Sequence, residues 1–246
     1  MVTSPDPQRN ARSTARLSRE AIARAGIAIA DAEGLDALSM RRLGQDLRAN
    51  PMSIYHHLRD KDAVLDAMVD TVIASVDPPP SGPDPSRRGG DWRHELRSLV
   101  MAARHELKRH PWVPAVVQQR ERPTEVILGH IEQVLTILRD GGCSVELSHH
   151  ALHLLGSRIL GFSQDLFNDS ADERAGDPAA SGRDGAPDLE GWSVAYPHVV
   201  ELAAAVTHDG VLAGCDDEHE FTFALDVLLD GIERCRVREA EESSDD

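Results

Sequence analysis

The chain has 246 residues and a formal net charge of −16, and 41% of its residues are apolar, which is enough for a sizeable core. No apolar run is long enough to span a membrane, and residues 1–19 contain no apolar segment typical of a signal peptide. The three cysteines lie far apart, so no disulfide framework is predicted, and we expect a cytoplasmic protein.

The charge is distributed unevenly along the chain. Residues 1–61 carry ten basic and seven acidic residues, whereas residues 62–246 carry 16 basic and 35 acidic residues. One interpretation is a small, mildly basic unit joined to a large acidic one. The other is chance variation together with an acidic tail at residues 239–246.

Polar caps and apolar residues at spacings of three and four predict four helices in the first third of the chain. They are Ser18–Glu33, Ser39–Leu47, Pro51–Leu58 and Asp60–Val76. Residues 1–16 show no periodicity and are predicted to form a disordered arm. Residues 77–91 hold five prolines and three glycines, which predicts a linker.

Helical spacing returns after the linker. The predicted helices are Trp92–Arg109, a short helix after Pro111, Pro123–Asp140, Val145–Phe167, Val194–Val206 and Asp217–Arg238. Residues 168–191 lack periodicity and are predicted to form a mobile loop. No segment has a convincing strand pattern, so the sequence predicts an all-α fold.

The helices Ser39–Leu47 and Pro51–Leu58 are joined by a three-residue turn, which is the pattern of a helix-turn-helix motif. If Ile54 and Leu58 point inward, a rotation of 100° per residue places short or hydrogen-bonding side chains on the outer face and its flanks. These are Met52, Ser53, Tyr55, His56 and His57. Such side chains suit contacts with base edges, and Arg41 and Lys61 are placed to reach phosphates. Two ordinary packed helices would show the same spacing.

Longer stretches carry a family resemblance. Leu38–Leu47 (LSMRRLGQDL) and Pro51–Leu58 (PMSIYHHL), followed by Lys61 and Leu65, resemble the DNA-binding domain of the tetracycline-repressor (TetR) family. The resemblance covers about residues 17–238 apart from two loops, and its later part is carried by Trp92, His110, the stretch Arg122–Glu125, the stretch Gly142–Ser144, Gly156, Gly161, Pro197 and the helix Leu225–Glu233.

The resemblance implies a three-helix helix-turn-helix DNA-binding domain at 17–60, joined by a connecting helix to a helical ligand-binding and dimerisation domain within 61–246. It implies DNA contacts by Arg41, Pro51, Met52, Ser53, Tyr55, His56, His57 and Lys61. The chain departs from the family at Arg48, where a glycine is usual. That position tends to be left-handed, which is unfavourable for Arg by roughly 1 kcal/mol, and we expect Arg48 itself to contact the DNA backbone.

In the tetracycline-repressor branch the drug is held as a magnesium complex with the help of histidines. The positions that match those histidines are Gln118 and Ser157, and glutamine is a poor substitute for a metal-binding imidazole. We therefore expect an apolar pocket that holds no metal, and a ligand other than magnesium–tetracycline. The predicted lining residues are Leu99, Ala103, Trp112, Gln118, Val134, Leu152 and Ser157. The alternative is that these are core positions without a cavity.

Three histidines form a separate cluster at His149, His150 and His153. Two of them are four residues apart and could share one helical face, which leaves open an all-α metal-dependent enzyme. Pairs of this kind are more often surface or interface residues, and no catalytic or nucleotide-binding motif is present. We expect no enzyme activity, no metal and no cofactor.

Two apolar seams with alternating steps of three and four lie in the second half of the chain. Their residues are Leu155, Ile159, Phe162 and Leu166, and Phe221, Leu225, Leu228 and Ile232. They suit either an internal core or a four-helix bundle between two subunits, and the resemblance favours a homodimer that binds a palindromic operator.

The sequence thus favours a cytoplasmic transcriptional regulator, a repressor that binds double-stranded DNA as a homodimer and is released by a small molecule. Three alternatives stay open: a family member with a vestigial pocket or an activating role, a metal-dependent enzyme, and a helical adaptor.

Overall fold

The computed structural model of the chain describes residues 17–76, 91–120, 122–161, 189–205, 207–208, 211–212 and 217–244. Over these residues the chain forms eleven α-helices and one antiparallel pair of two-residue strands. The elements are α1 Arg19–Glu33, α2 Met40–Asp46, α3 Pro51–Tyr55, α4 Lys61–Ala74, α5 Trp92–Arg109, α6 Val113–Gln118, α7 Glu125–Asp140, α8 Val145–Leu160, α9 Leu189–Ala195, α10 Pro197–Ala205, β1 Thr207–His208, β2 Val211–Leu212 and α11 Asp217–Glu242. The predicted all-α class is confirmed; the strand pair is too short to give a sequence signal.

The first four helices begin at the predicted polar caps. Ser18, Ser39, Asn50 and Asp60 each accept a hydrogen bond from a backbone N–H of the first turn, at 2.7–3.1 Å. A cap of this kind contributes about 1 kcal/mol because it satisfies an N–H that has no partner within the helix. Local sequence therefore sets where these helices start.

The described residues fall into two compact units, one within 1–160 and 232–246 and the other within 161–231. In the first unit α4 packs against α1 and also against α5, α6 and α7. A single hydrophobic core therefore extends from helices α1 to α3, through α4, to α6. Its buried members include Ile22, Leu43, Ile54, Leu58, Val64, Met68 and Val113. The predicted domain boundary at residue 60 lies inside this unit.

In the second unit α9, α10 and the strand pair precede the first part of α11. Phe221, Leu225 and Leu229 of α11 are buried. Phe223 and Val227, on the other side of the same helix, are exposed by 62% and 50%. None of the helices that the structure describes is both long and apolar enough to cross a membrane.

Several predicted bounds need correction. The helix predicted over Val194–Val206 is two helices, α9 and α10, which are separated at Pro197 because proline lacks the N–H that would continue α9. Residues 189–191, expected in a mobile loop, lie in α9, and residues 239–242 of the expected acidic tail are the last turn of α11. The predicted arm at 1–16, the linker at 77–90 and the loop at 168–188 lie outside the described residues, as do Phe162 and Leu166.

Candidate nucleic-acid interface and internal cavity

The α2–α3 pair has one buried and one exposed face. Ile54 and Leu58 are 0% and 2% exposed and share a core with Leu43 of α2. Met52 is 62% exposed, and His56 is exposed as well. The structure also leaves Tyr55 and His57 exposed and Pro51 and Ser53 half-buried. The face that the spacing predicts to point outward is therefore accessible to a partner.

The turn between α2 and α3 is tight. The backbone N–H of Ala49 donates to the carbonyl oxygen of Gly44 at 2.9 Å, and a Cβ added to Gly44 would lie 2.9 Å from the Ala49 carbonyl oxygen. Arg48, in the middle of this turn, has φ +50° and is the only non-glycine residue with positive φ in the described chain. Arg48 thus keeps the left-handed conformation that the resemblance implies for a position where glycine is usual.

Three cations surround this motif. Arg41, Arg48 and Lys61 are exposed, and none of them forms an ion pair with another described residue. The neighbouring Arg42 differs, because its guanidinium lies 2.7 Å from the carboxylate of Glu33. The unpaired cations leave positive charge available beside the exposed face of α3, which suits contacts with phosphate groups.

Helices α4 to α8 enclose an apolar cavity of about 360 Å³. Its lining consists of Ile73, Leu99, Val100, Ala103, Leu107, Val113, Val117, Arg120, Pro123, Ile127, His130, Ile131, Val134, Leu152, Leu155, Gly156, Ile159 and Leu160. All these residues belong to the first compact unit. Its volume is at the lower end of the range of small-molecule sites.

Arg120 and His130 are the polar residues of this lining. The Arg120 guanidinium lies 2.6 Å from the carboxylate of Asp66 on α4 and donates to the carbonyl oxygen of Asp62 at 3.3 Å. Burial lowers the pKa of His130, because the charged imidazolium would lose its hydration. His130 is therefore neutral near pH 7, whereas Arg120 ties the cavity wall to α4.

Four of the predicted pocket residues, Leu99, Ala103, Val134 and Leu152, line the cavity. The other three lie elsewhere. Trp112 is buried with its indole N–H donating to Asp31 at 2.7 Å, Gln118 donates to the Leu160 carbonyl oxygen at 3.0 Å, and Ser157 is exposed. The structure thus does not bring these three residues together with the other four in the cavity lining: two of their side chains have protein partners and the third is exposed.

Sequence reasoning missed Arg120 and His130. A signal was present for His130, because Ile127, Ile131 and Val134 lie three or four residues from it and define one face of α7. A single histidine on an apolar helix face is compatible with a core position, so spacing alone could not show that it faces a cavity. No sequence pattern distinguishes Arg120.

Four of the eight residues predicted for a subunit interface are buried within the single chain. Leu155 and Ile159 line the cavity, and Phe221, Leu225 and Ile232 are buried within the single chain. Leu228 is half-buried. Leu155, Phe221, Leu225 and Ile232 therefore contribute to the core of the single chain and leave little of their own surface for a partner.

The histidine cluster lies on the surface of α8. His149, His150 and His153 are exposed, and the ring centroids of His149 and His153 are 4.6 Å apart. In the part of the chain that the structure describes, no group of three or more His, Cys, Asp or Glu side chains could hold a metal ion.

Comparisons relate this chain to known proteins. Residues 84–236 match the family of tetracycline repressor-like C-terminal domains. The helix-turn-helix transcriptional repressor DrrR1 of Streptomyces coeruleorubidus is 29% identical over 237 residues, which cover 94% of this chain and 82% of DrrR1.

Two solved structures with the same architecture are those of ActR from Streptomyces coelicolor. The apo structure of ActR has a TM-score of 0.67 and 25% identity, covering 91% of this chain and 98% of ActR. The complex of ActR, a TetR family protein, with actinorhodin has a TM-score of 0.65 and 26% identity, covering 89% of this chain and 96% of ActR.

Proposed function

The chain belongs to the TetR family of transcriptional regulators, and from this premise we propose that it is a cytoplasmic repressor that binds a palindromic operator as a homodimer and is released by a small, largely apolar effector. It is a regulator and not an enzyme. The observation that carries the proposal is that one compact unit holds both an exposed α3 flanked by unpaired cations and an apolar cavity.

The DNA-binding part of the proposal assigns two roles. The exposed face and flanks of α3 read base edges in the major groove, and the cations surrounding the motif contact phosphates. The base-reading residues are Met52, Ser53 and His56, with Pro51, Tyr55 and His57 beside them, and the phosphate contacts are Arg41, Arg48 and Lys61.

Release requires that the cavity and α4 are coupled. Ile73 of α4 lines the cavity, and Arg120 joins its wall to Asp66, two turns nearer the start of the same helix. A ligand that binds more tightly to a shifted arrangement of α4 would draw the chain into that arrangement. In a dimer, such a shift changes the distance between the two copies of α3, which must lie about 34–36 Å or a multiple of it apart.

The homodimer part of the proposal uses exposed rather than buried apolar residues. Leu154 of α8 is 49% exposed, and Phe223 and Val227 of α11 are more exposed still. Burying such side chains against a second copy removes apolar surface from water. A two-fold dimer then accounts for a palindromic operator.

The operator is the first test. Genomic fragments selected by the purified chain should share an inverted repeat. Ser53→Ala and His56→Ala should each change base preference by about 1–3 kcal/mol. Lys61→Ala should weaken binding to all sequences. It should also lower by about one the salt slope, which is the steepness with which the logarithm of affinity falls against the logarithm of salt concentration. Arg238→Ala, which removes an exposed arginine of α11, is the matched control. Fragments without a shared sequence would contradict the proposal.

The effector is the second test. Tetracycline with magnesium should not release the operator, because the cavity offers a single imidazole and no carboxylate among its lining residues. Operator affinity is measured by fluorescence anisotropy with tetracycline, with and without magnesium. Release that disappears on addition of EDTA would show that a metal–tetracycline complex is the ligand after all.

A further inference from the structure

The polar groups of the cavity differ in whether they already have partners. Sixteen of its eighteen lining residues are aliphatic, proline or glycine, and none is aromatic. The Arg120 guanidinium is engaged by the Asp66 carboxylate and the Asp62 carbonyl oxygen. His130 forms no hydrogen bond or ion pair with another described residue. Its imidazole is thus the polar group of the lining that is left to interact with a ligand.

The state of His130 limits the chemistry of that ligand. A neutral imidazole offers one N–H donor and one nitrogen acceptor. A hydroxyl group can pair with either, and a carbonyl oxygen can accept from the N–H. A carboxylate would need a free cation, but the guanidinium in the wall is already paired with Asp66. An ammonium group would find no acidic side chain in the described lining.

We infer that His130 selects the effector of this regulator, and that the effector is an uncharged, largely apolar molecule with one hydroxyl or carbonyl group against the His130 imidazole. The inference rests on the proposed function, in which the cavity receives the effector. A volume of about 360 Å³ equals that of roughly a dozen waters at ~30 Å³ each, which suits a ligand of two fused six-membered rings.

Three probes that share one ring system test the inference: 2-naphthol, 2-methylnaphthalene and 2-naphthoate. Their own fluorescence reports equilibrium binding to the full chain without DNA. We expect 2-naphthol to bind on the order of three- to tenfold more tightly than 2-methylnaphthalene, which is the range for one neutral hydrogen bond. The charged 2-naphthoate should bind more weakly than 2-naphthol.

Variants of His130 test whether its side chain causes the preference for 2-naphthol over 2-methylnaphthalene. His130→Leu should bind 2-naphthol and 2-methylnaphthalene equally, whereas His130→Gln, which keeps hydrogen-bonding capacity, should retain part of the preference. His105→Leu makes the same change at an exposed histidine of α5 and should behave as the wild type. Thermal unfolding of each variant confirms that it is folded. Equal binding of both probes by the wild type, or an unchanged preference in His130→Leu, would overturn the role of His130.

A further variant separates this inference from the proposed function. Gly156→Leu places a side chain where an added Cβ meets no atom within 4 Å, so it should narrow the cavity without disturbing the fold. It should weaken binding of all three probes. Unchanged binding by Gly156→Leu would show that the cavity is not the effector site, which contradicts the proposed function itself. Tighter binding of 2-naphthoate than of 2-naphthol would overturn only the uncharged class of ligand, and no binding of any probe by the wild type would overturn both.

Discussion

Arg48 adopts a backbone conformation that is unfavourable for its side chain. At φ +50° it lies in the left-handed region, which costs a non-glycine residue roughly 1–2 kcal/mol. The turn cannot relax easily, because the Ala49 carbonyl oxygen packs close to Gly44. The cost is offset if the exposed guanidinium of Arg48 contributes to DNA binding.

Replacing Arg48 should therefore move stability and DNA affinity in opposite directions. In Arg48→Asn the free energy of unfolding should rise by about 1 kcal/mol, because asparagine tolerates the left-handed region, and the salt slope of operator binding should fall by about one. Urea unfolding and salt titration measure the two effects. Arg48→Lys keeps both the charge and the strain and should resemble the wild type. An unchanged salt slope in Arg48→Asn would exclude a phosphate contact.

His130 gives stability a dependence on pH. Because burial lowers its pKa below the ordinary value of 6.5, the unfolded chain takes up a proton at a higher pH than the folded chain does. Between the lowered pKa and about 6.5, the unfolded state binds more protons, so the free energy of unfolding falls as pH falls; above that window the contribution is constant.

Removing the imidazole should remove this dependence. We expect His130→Leu to lose less stability between about pH 7.5 and about pH 5.5 than the wild type or His105→Leu. Urea unfolding at the two pH values provides the comparison. Equal losses in all three proteins would show that His130 is not desolvated in the folded state.

At the scale of elements, a polar link joins the end of α1 to the segment between α5 and α6. Asp31 accepts a hydrogen bond from the Trp112 indole N–H at 2.7 Å and lies 2.9 Å from His110 Nδ1. Leu107 and Val113, on either side of this segment, line the cavity. The link thus connects the cavity wall to the helix that packs behind the DNA-binding motif.

A double-mutant cycle measures the strength of this link. From Asp31→Ala, Trp112→Phe and the double variant, we expect a coupling energy of about 1.5–3 kcal/mol, because one partner is a charged carboxylate. The exposed pair Arg238–Glu242, whose charged atoms are 4.0 Å apart, is the control and should couple by less than about 0.5 kcal/mol. Equal coupling in the two cycles would show that the link adds nothing beyond a surface contact.

The elements show where prediction from sequence succeeds. Ser18 and Asn50 act on the turn that follows them, so helix starts are readable locally. The seam from Phe221 to Ile232 identifies the apolar face of α11, but core and subunit interface use the same spacing. The structure buries Phe221, Leu225 and Ile232 and leaves Leu228 half-buried. The cavity is harder to predict from sequence than the helix starts, because five separate helices must pack together before the surroundings of His130 exist.

At the scale of the whole molecule, the proposed dimer depends on apolar surface that one chain leaves exposed. On its own, α3 is five residues long and presents only a few side chains to a half-site. Two copies on a two-fold axis double those contacts within one binding event, which raises affinity through effective concentration. Loss of the dimer should therefore weaken operator binding without changing base preference.

Phe223 and Val227 allow this to be tested without disrupting the core. Phe223→Glu and Val227→Glu should give folded monomers at micromolar concentration, because a charge would be buried at the interface but exposed in the single chain. Leu225→Glu should instead unfold the chain, since Leu225 is 0% exposed. Val145→Glu, at a residue of α8 that is 71% exposed, is the matched control and should remain dimeric. Sedimentation and circular dichroism separate the outcomes, and folded dimers of unchanged affinity in both α11 variants would place the interface elsewhere.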